Sequence, residues 1–145
     1  MLGPLFPVVE VPEVVSGDAG YDTQYKRSVR WDPVLGDFVR DGANRMVGCE
    51  GKEAFSFWCF KVAQTERYRC LAYPEQIGAE LDRAMSSEDE KTVESMVQRT
   101  ITDAIMVNPR TEDVWDFSFS WEGDRMHVTF KVKGVHWEEE IMIAL

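Results

Sequence analysis

The chain has 145 residues, which fits one domain that is large enough to bury a core without disulfides or a metal. Its 44% hydrophobic and 29% charged residues are ordinary for a globular protein. The formal net charge of -10 argues against binding to nucleic acid or to an anionic membrane, since both carry negative charge and are recognised by basic surfaces.

The first 50 residues are predicted to form an extended arm and a hairpin. Pro4, Pro7 and Pro12 interrupt a valine-rich stretch, and each proline biases the residue before it toward extended backbone. Two short β-like runs, 28–31 and 37–40, flank a loop that contains Pro and Gly. We therefore divide the chain into residues 1–50, the arm and hairpin, and residues 51–145, an α+β domain.

An aromatic helix is predicted over residues 52–64. Its apolar side chains recur at helical spacing, and the helix is expected to be buried on most sides. A polar and aromatic connector follows, and Pro74 is predicted to start a short second helix that extends from Glu75 to Met85.

The third predicted helix is the longest. Ser87 and Glu90 fit a capping box, in which the serine oxygen accepts from a free backbone N–H and the glutamate reaches back. An apolar stripe runs from Val93 to Ile105. Pro109 ends the helix, because the residue before a proline is driven out of helical geometry.

The last third alternates between apolar and polar residues, which predicts strands with one buried face. The first strand places four aromatic residues on the same parity: Trp115, Phe117, Phe119 and Trp121. A second strand over 126–133 and a third from Val135 to Leu145 complete a three-stranded antiparallel meander. The predicted class is therefore α+β: an N-terminal extended arm and β-hairpin, three helices, and this meander.

The last strand is predicted to lie at an open edge of the sheet. On one parity it carries Val135, Trp137, Glu139, Ile141, Ile143 and Leu145, of which only the glutamate is charged. An open edge presents unpaired N–H and C=O groups. The run Glu138-Glu139-Glu140 protects this edge from unwanted pairing or tunes its pairing with a chosen partner strand, and the sequence leaves both interpretations open.

No pattern for catalysis, a cofactor or a metal emerges from the sequence. His127 and His136 are the only histidines, too few for a metal site of known ligand spacing. Glu66 is the one carboxylate worth considering as an acid, yet the neighbouring Arg67 favours its charged form. We expect Glu66 and Arg67 to fix the connector through a salt bridge.

The Asn108-Pro109-Arg110 element is also expected to hold the fold. Pro109 breaks the third helix, and the guanidinium of Arg110 offers five donors in a rigid fork. We expect Arg110 to bind either the last carbonyl groups of the helix or a carboxylate such as Glu66.

The order of these motifs over about residues 28–135 resembles the XkdS-type baseplate proteins of contractile phages and phage-tail-like particles. The resemblance rests on Thr65-Glu66-Arg67-Tyr68, on Asn108-Pro109-Arg110, and on Asp116-Phe117-Ser118-Phe119 with the strand that follows. These proteins are relatives of the baseplate wedge and sheath-initiator family once labelled lysozyme-like. Wedge relatives carry Glu-Pro-Arg where this chain has Asn108-Pro109-Arg110, so the ion pair of that glutamate is missing here.

The resemblance implies a structural function without enzymatic activity. Sheath initiators extend a sheet with strands of sheath subunits, and the strand from Val135 to Leu145 matches that role. Expected partners are the tail sheath protein, baseplate wedge scaffold proteins and tube-side hub proteins, with six copies in a ring. The expected location is the baseplate of a virion or phage-tail-like particle, after synthesis in the bacterial cytoplasm. Alternatives are a lysozyme-like enzyme that cleaves the cell wall and a tail assembly chaperone or adaptor.

Overall fold

The computed structural model describes residues 27–135 and 141–145, and it confirms the predicted α+β class. The predicted arm, which begins at Met1, lies outside these residues. The elements in chain order are β1 (Ser28–Val29), β2 (Trp31–Asp32), β3 (Asp37–Phe38), β4 (Gly48–Cys49), α1 (Gly51–Gln64), α2 (Leu81–Ala84), α3 (Glu90–Met106), β5 (Thr111–Glu122), β6 (Arg125–Gly134) and β7 (Ile141–Ala144).

Two small antiparallel pairs precede the first helix. The predicted hairpin is confirmed, since β2 pairs with β3 through Trp31 opposite Phe38. Strand β4 was not predicted from the sequence, and it pairs with β1 outside that hairpin. Lys61 of α1 lies 4.9 Å from the Trp31 ring centroid and 4.8 Å from that of Phe38, so a cation–π contact joins the hairpin to the helix.

Helix α1 forms where the aromatic pattern predicts it. Phe55, Cys59 and Val62 share one face and are buried, while Trp58 and Phe60 are partly buried against the same core. The helix ends at Gln64, and the Thr65 hydroxyl donates to the Lys61 carbonyl at 2.7 Å.

Helix α2 is much shorter than predicted. The expected helix from Glu75 to Met85 is wrong, because α2 spans only Leu81–Ala84. Gly78 has a φ of +105°, which a right-handed helix excludes. The next residue, Ala79, instead pairs with the connector: its N–H donates to the Thr65 carbonyl at 2.9 Å. This tertiary pairing overrides the local preference for a helix after Pro74.

Helix α3 ends as predicted but begins later. The Ser87 cap is wrong, because Asp89 is the N-cap residue and its carboxylate accepts from the Thr92 N–H at 3.1 Å. Aspartate satisfies the same free donor as serine, so the local sequence offered two competing caps. The helix stops at Met106, before the Asn108-Pro109 element.

The C-terminal sheet is the predicted antiparallel meander, with strand order β5-β6-β7. Gly123 and Asp124 connect Glu122 to its partner Arg125, and Gly123 has the positive φ, +62°, that such a tight turn requires. The last strand is described over Ile141–Ala144, and the part predicted for 136–140 lies outside the described residues.

A β-bulge corrects the predicted face of Trp115. The register shifts between Trp115, which lies opposite Lys131, and Ser118, which lies opposite Thr129. Asp116 is the extra residue, with a φ of +57°. The alternation therefore changes parity, so that Trp115 faces away from the core while Phe117 stacks on the buried Phe130 at 5.1 Å between ring centroids.

Both long helices pack on the same face of the sheet, with α3 against β5 and α1 against β7. The indole nitrogen of Trp121 donates to the Glu94 carboxylate of α3 at 2.9 Å. The core between these layers is centred on six fully buried side chains: Phe130, Ile101, Ile105, Val97, Val132 and Cys59.

Candidate partner-binding edge

Strand β7 lies at the outer edge of the sheet and pairs with β6 on one side. No strand within residues 27–135 or 141–145 pairs with its other side. Within the described residues β7 is therefore an edge strand, and its geometry decides which groups this edge offers.

The hydrogen-bond phase of the β6–β7 ladder fixes the direction of the backbone groups. Val128 and Leu145 exchange two bonds, with N···O distances of 3.2 and 2.9 Å. In an antiparallel ladder such bonded pairs recur at every second residue, so Ile143 and Ile141 also direct their N–H and C=O groups toward β6. Met142 and Ala144 then direct theirs toward the free edge.

The side chains of β7 alternate in the opposite sense. Ile141 is 7% exposed and Ile143 is 3% exposed, and both belong to the core, against which Leu145 packs. Met142, in contrast, is 67% exposed. Ile141 and Ile143 belong to the strand that the resemblance implies for pairing with a sheath subunit. In the structure their side chains are covered by the chain's own core, and their backbone groups bond to β6.

The other predicted site residues lie before β7. Val135 is 38% exposed and follows the end of β6, where its N–H donates to the Arg110 carbonyl at 3.0 Å. Trp137 and Glu139 fall outside the described residues.

Met142 and Ala144 are the edge residues that the sequence analysis missed. They occupy the even positions, which look unremarkable beside the large apolar residues at odd positions. Their parity is the signal that identifies them. In β7 the residues whose side chains face the core also direct their N–H and C=O groups toward β6. The residues between them therefore direct their N–H and C=O groups toward the edge.

The connector residues Glu66 and Arg67 hold local backbone. A Glu66 carboxylate oxygen accepts from the Asp82 N–H at 3.3 Å, near the start of α2. Arg67 donates through Nε to the Glu75 carbonyl at 2.5 Å, and its guanidinium lies over the Tyr68 ring at 4.8 Å. Glu66 thus contacts the backbone of α2, and Arg67 contacts the backbone of the loop before it. That these two contacts hold the connector stays a prediction.

Pro109 and Arg110 form the turn between α3 and β5. The Asn108 side-chain oxygen accepts from the Arg110 N–H at 3.0 Å, and the Asn108 carbonyl accepts from Thr111 at 2.9 Å. Arg110 also lines a cavity of about 270 Å³ with Phe55 and Trp58 of α1. The Arg110 carbonyl, which binds Val135, connects this turn to the segment that leads to β7.

The described residues contain no group of His, Cys, Asp and Glu side chains that suits a metal ion. His127 is an exposed strand residue 3.5 Å from the Glu122 carboxylate, and His136 lies outside the described part of the chain. A cavity of about 430 Å³ is lined in part by Glu80 and Asp103, whose carboxylates lie 3.8 and 3.9 Å from Arg83 and Arg99 respectively.

None of the helices in the described ranges has the length and hydropathy of a membrane span.

The fold is that of a small α+β domain with a sheet edge that no strand of the described residues covers, and sequence comparison gives its family. The family model for the "Contractile injection system sheath initiator" matches residues 27–136, which is well over half of the 145-residue chain. The chain therefore belongs to the sheath initiator family, a family of structural components of contractile tails.

The chain is also similar to the phage-like element PBSX protein XkdS of Bacillus subtilis (strain 168). The two sequences are 31% identical over 87 residues, which covers 57% of this chain and 60% of XkdS. The chain thus matches less than two thirds of the length of this relative. The predicted resemblance to XkdS-type proteins is confirmed.

Proposed function

We propose that this protein is a baseplate component that nucleates sheath assembly, and that the free edge of β7 receives a strand of a sheath subunit. The observation that carries the proposal is the direction of the backbone groups at Met142 and Ala144, which point away from β6. These two residues offer two N–H donors and two C=O acceptors to an added strand.

The energetics favour a contact that is weak alone and strong in a ring. Each added hydrogen bond contributes about 0.5–1.5 kcal/mol net, so one short edge holds a strand only loosely. Six copies around the tail axis would present six such edges at once, and tethered contacts of this kind raise the overall affinity by about 10²–10⁴-fold. We expect wedge scaffold and tube-side hub proteins to contact other surfaces of this protein in the same ring.

Substitution of Met142 by proline tests the edge with little disturbance of the fold. Proline removes the outward N–H of Met142 and places a ring in the path of an added strand, while the inward bonds of Ile141 and Ile143 stay intact. Removal of the whole strand would be a poorer test, because Ile141 and Ile143 belong to the core. We expect Met142→Pro to reduce the fraction of purified baseplates that carry a sheath by about tenfold or more, counted by electron microscopy.

Met142→Leu is the matched control, since leucine retains the N–H and the apolar side chain. It should give normal sheaths, and both variants should unfold within a few degrees of the wild-type Tm. Normal sheaths on baseplates that contain the proline variant would refute the proposal. So would the absence of the protein from purified particles, which would identify a chaperone that leaves after assembly.

A further inference from the structure

The β-bulge in β5 creates an outward-facing row of side chains that crosses the whole sheet. Trp115 lies opposite Lys131, and Lys131 lies opposite Met142, so the three side chains share the face that points away from the helices. Without the extra residue Asp116, the parity of β5 would turn Trp115 toward the core. Bulges commonly re-aim a side chain in this way at functional edges.

The middle of the row is held in place. The Lys131 ammonium lies 3.2 Å from the Asp116 carboxylate, and the Lys131 side chain is 30% exposed. Its methylene chain is therefore largely covered, as expected for a lysine between two large cross-strand neighbours. Met142, at the end of the row, is 67% exposed and lies on the free edge itself.

Hydrogen bonds alone cannot fix the register of a strand added at this edge. Only two described residues, Met142 and Ala144, direct backbone groups outward. A longer strand that slipped by two residues would form the same number of bonds and keep its side chains on the same faces. One register is therefore selected only if a side chain of the added strand packs favourably against a side chain of β7. Met142 is the large exposed side chain of the described edge.

We infer that the row Trp115–Lys131–Met142 sets the register of the incoming strand, which places an apolar side chain directly opposite Met142. The inference rests on the proposed function and adds to it the chemistry of the partner: an extended segment of a sheath subunit with a Val, Ile, Leu or aromatic residue at that position. Such a residue continues the row onto a fourth strand, where cross-strand apolar pairs are favourable.

Disulfide mapping in assembled particles tests the register. Ala144→Cys is combined with Cys70→Ser, which removes the exposed native thiol, while Cys49 and Cys59 are buried. Single cysteines are then placed along the pairing segment of the particle's own sheath protein, and the disulfide yield is measured at each position. With Met142 present, one sheath position should dominate, and an apolar sheath residue should lie opposite Met142.

Three variants distinguish the effect of the side-chain row on the register from the backbone pairing at the edge. Met142→Leu should keep the single dominant position. Met142→Ser should lower the yield there by about twofold to fivefold and raise it two residues away, because a favourable cross-strand pair is lost. Trp115→Thr should broaden the map in the same direction to a smaller extent, since Trp115 acts through Lys131.

Each failure has its own signature. An unchanged single position with Met142→Ser overturns the inference and leaves the proposed strand pairing intact. If Met142→Ser spreads the disulfide yield over several sheath positions but Trp115→Thr leaves it unchanged, the inferred role of Trp115 is wrong. If no sheath cysteine forms a disulfide in any background, or if the disulfide joins two copies of this chain, the proposed function fails together with the inference.

Discussion

The indole nitrogen of Trp121 and the carboxylate of Glu94 lie 2.9 Å apart and form a hydrogen bond between the sheet and α3. Trp121 packs against the core beside the turn that closes the β5–β6 hairpin, and Glu94 lies in the first turns of α3. The bond joins the first half of the helix to the end of the strand and adds a directional contact to the apolar packing between them.

Loss of this bond should destabilise the protein measurably. We expect Trp121→Phe to reduce the free energy of unfolding by about 1–2 kcal/mol, since a bond to a charged acceptor is lost and Glu94 is left partly buried. Glu94→Gln is the matched control, because its amide oxygen still accepts from the indole N–H. Its loss in free energy of unfolding should be less than about half of that caused by Trp121→Phe. Urea unfolding measures both, and equal stability of Trp121→Phe and the wild type would contradict the argument.

Gly78 is where the connector passes closest to its own backbone. An ideal Cβ at this position would lie 2.6 Å from the Thr65 carbonyl oxygen and 3.0 Å from the Arg67 nitrogen, and its φ is +105°. We expect Gly78→Ala to reduce the free energy of unfolding by about 2–4 kcal/mol, because backbone strain and a steric clash add.

Gly42→Ala serves as the control for Gly78. A Cβ at position 42 would meet no atom within 4 Å, so we expect Gly42→Ala to change the free energy of unfolding by no more than about 0.5 kcal/mol. Thermal or urea unfolding compares the two variants. A Gly78→Ala protein as stable as Gly42→Ala would show that the connector does not adopt the described backbone.

The elements that the sequence predicted correctly have a strong repeat and a local stop signal. Helix α1 follows an aromatic repeat, α3 ends before Pro109, and apolar and polar residues alternate from Phe117 to Glu122 and from Met126 to Lys133, on either side of Gly123. In each case the local pattern and the tertiary packing favour the same conformation, which is the condition for reading structure from sequence.

The incorrect predictions fall where a distant contact decides. Ala79 pairs with the connector rather than extending a helix from Pro74, and this pairing involves residues more than ten positions away. The bulge at Asp116 leaves no periodic signal, because the outward-facing Trp115 is itself apolar and lies on the same parity as Phe117. For the candidate site, the edge was predictable, but the assignment of Met142 and Ala144 to it required the hydrogen-bond phase of β6.

The bulge itself predicts the order of stability at position 116. Asp116 has a φ of +57°, a region that Asp visits at a modest cost and that a β-branched residue strongly disfavours. We expect Asp116→Val to reduce the free energy of unfolding by about 1–3 kcal/mol. Asp116→Gly loses the ion pair with Lys131, but glycine adopts the positive φ without strain. Its free energy of unfolding should therefore stay within about 1 kcal/mol of the wild-type value.

These two variants distinguish the bulge from an ordinary strand residue. At a regular strand position valine is favoured over glycine, so the opposite order of stability would be observed. Urea unfolding of the two proteins side by side gives the order directly. Valine more stable than glycine at position 116 would show that β5 runs through this point without the extra residue.

The buried thiol of Cys59 makes stability depend on pH in the alkaline range. Burial raises the pKa of this thiol in the folded protein above its ordinary value of 9.0. Below about pH 8 the thiol is protonated in both states and contributes no pH dependence. Above about pH 9 the unfolded chain releases the proton and the folded chain retains it, so the free energy of unfolding falls as pH rises.

Cys59 alone should lower the free energy of unfolding by about 1.4 kcal/mol for each pH unit once the thiol of the unfolded chain is fully ionised. Urea unfolding at intervals from neutral to alkaline pH measures it against two variants. Cys59→Ala should be less stable at neutral pH because it loses core packing, yet its stability should fall less steeply above pH 9, whereas Cys70→Ala, which removes an exposed thiol, should keep the wild-type slope. Equal alkaline slopes in the wild type and Cys59→Ala would mean that the Cys59 thiol ionises alike in the folded and unfolded states, which a fully buried position beneath the sheet does not allow.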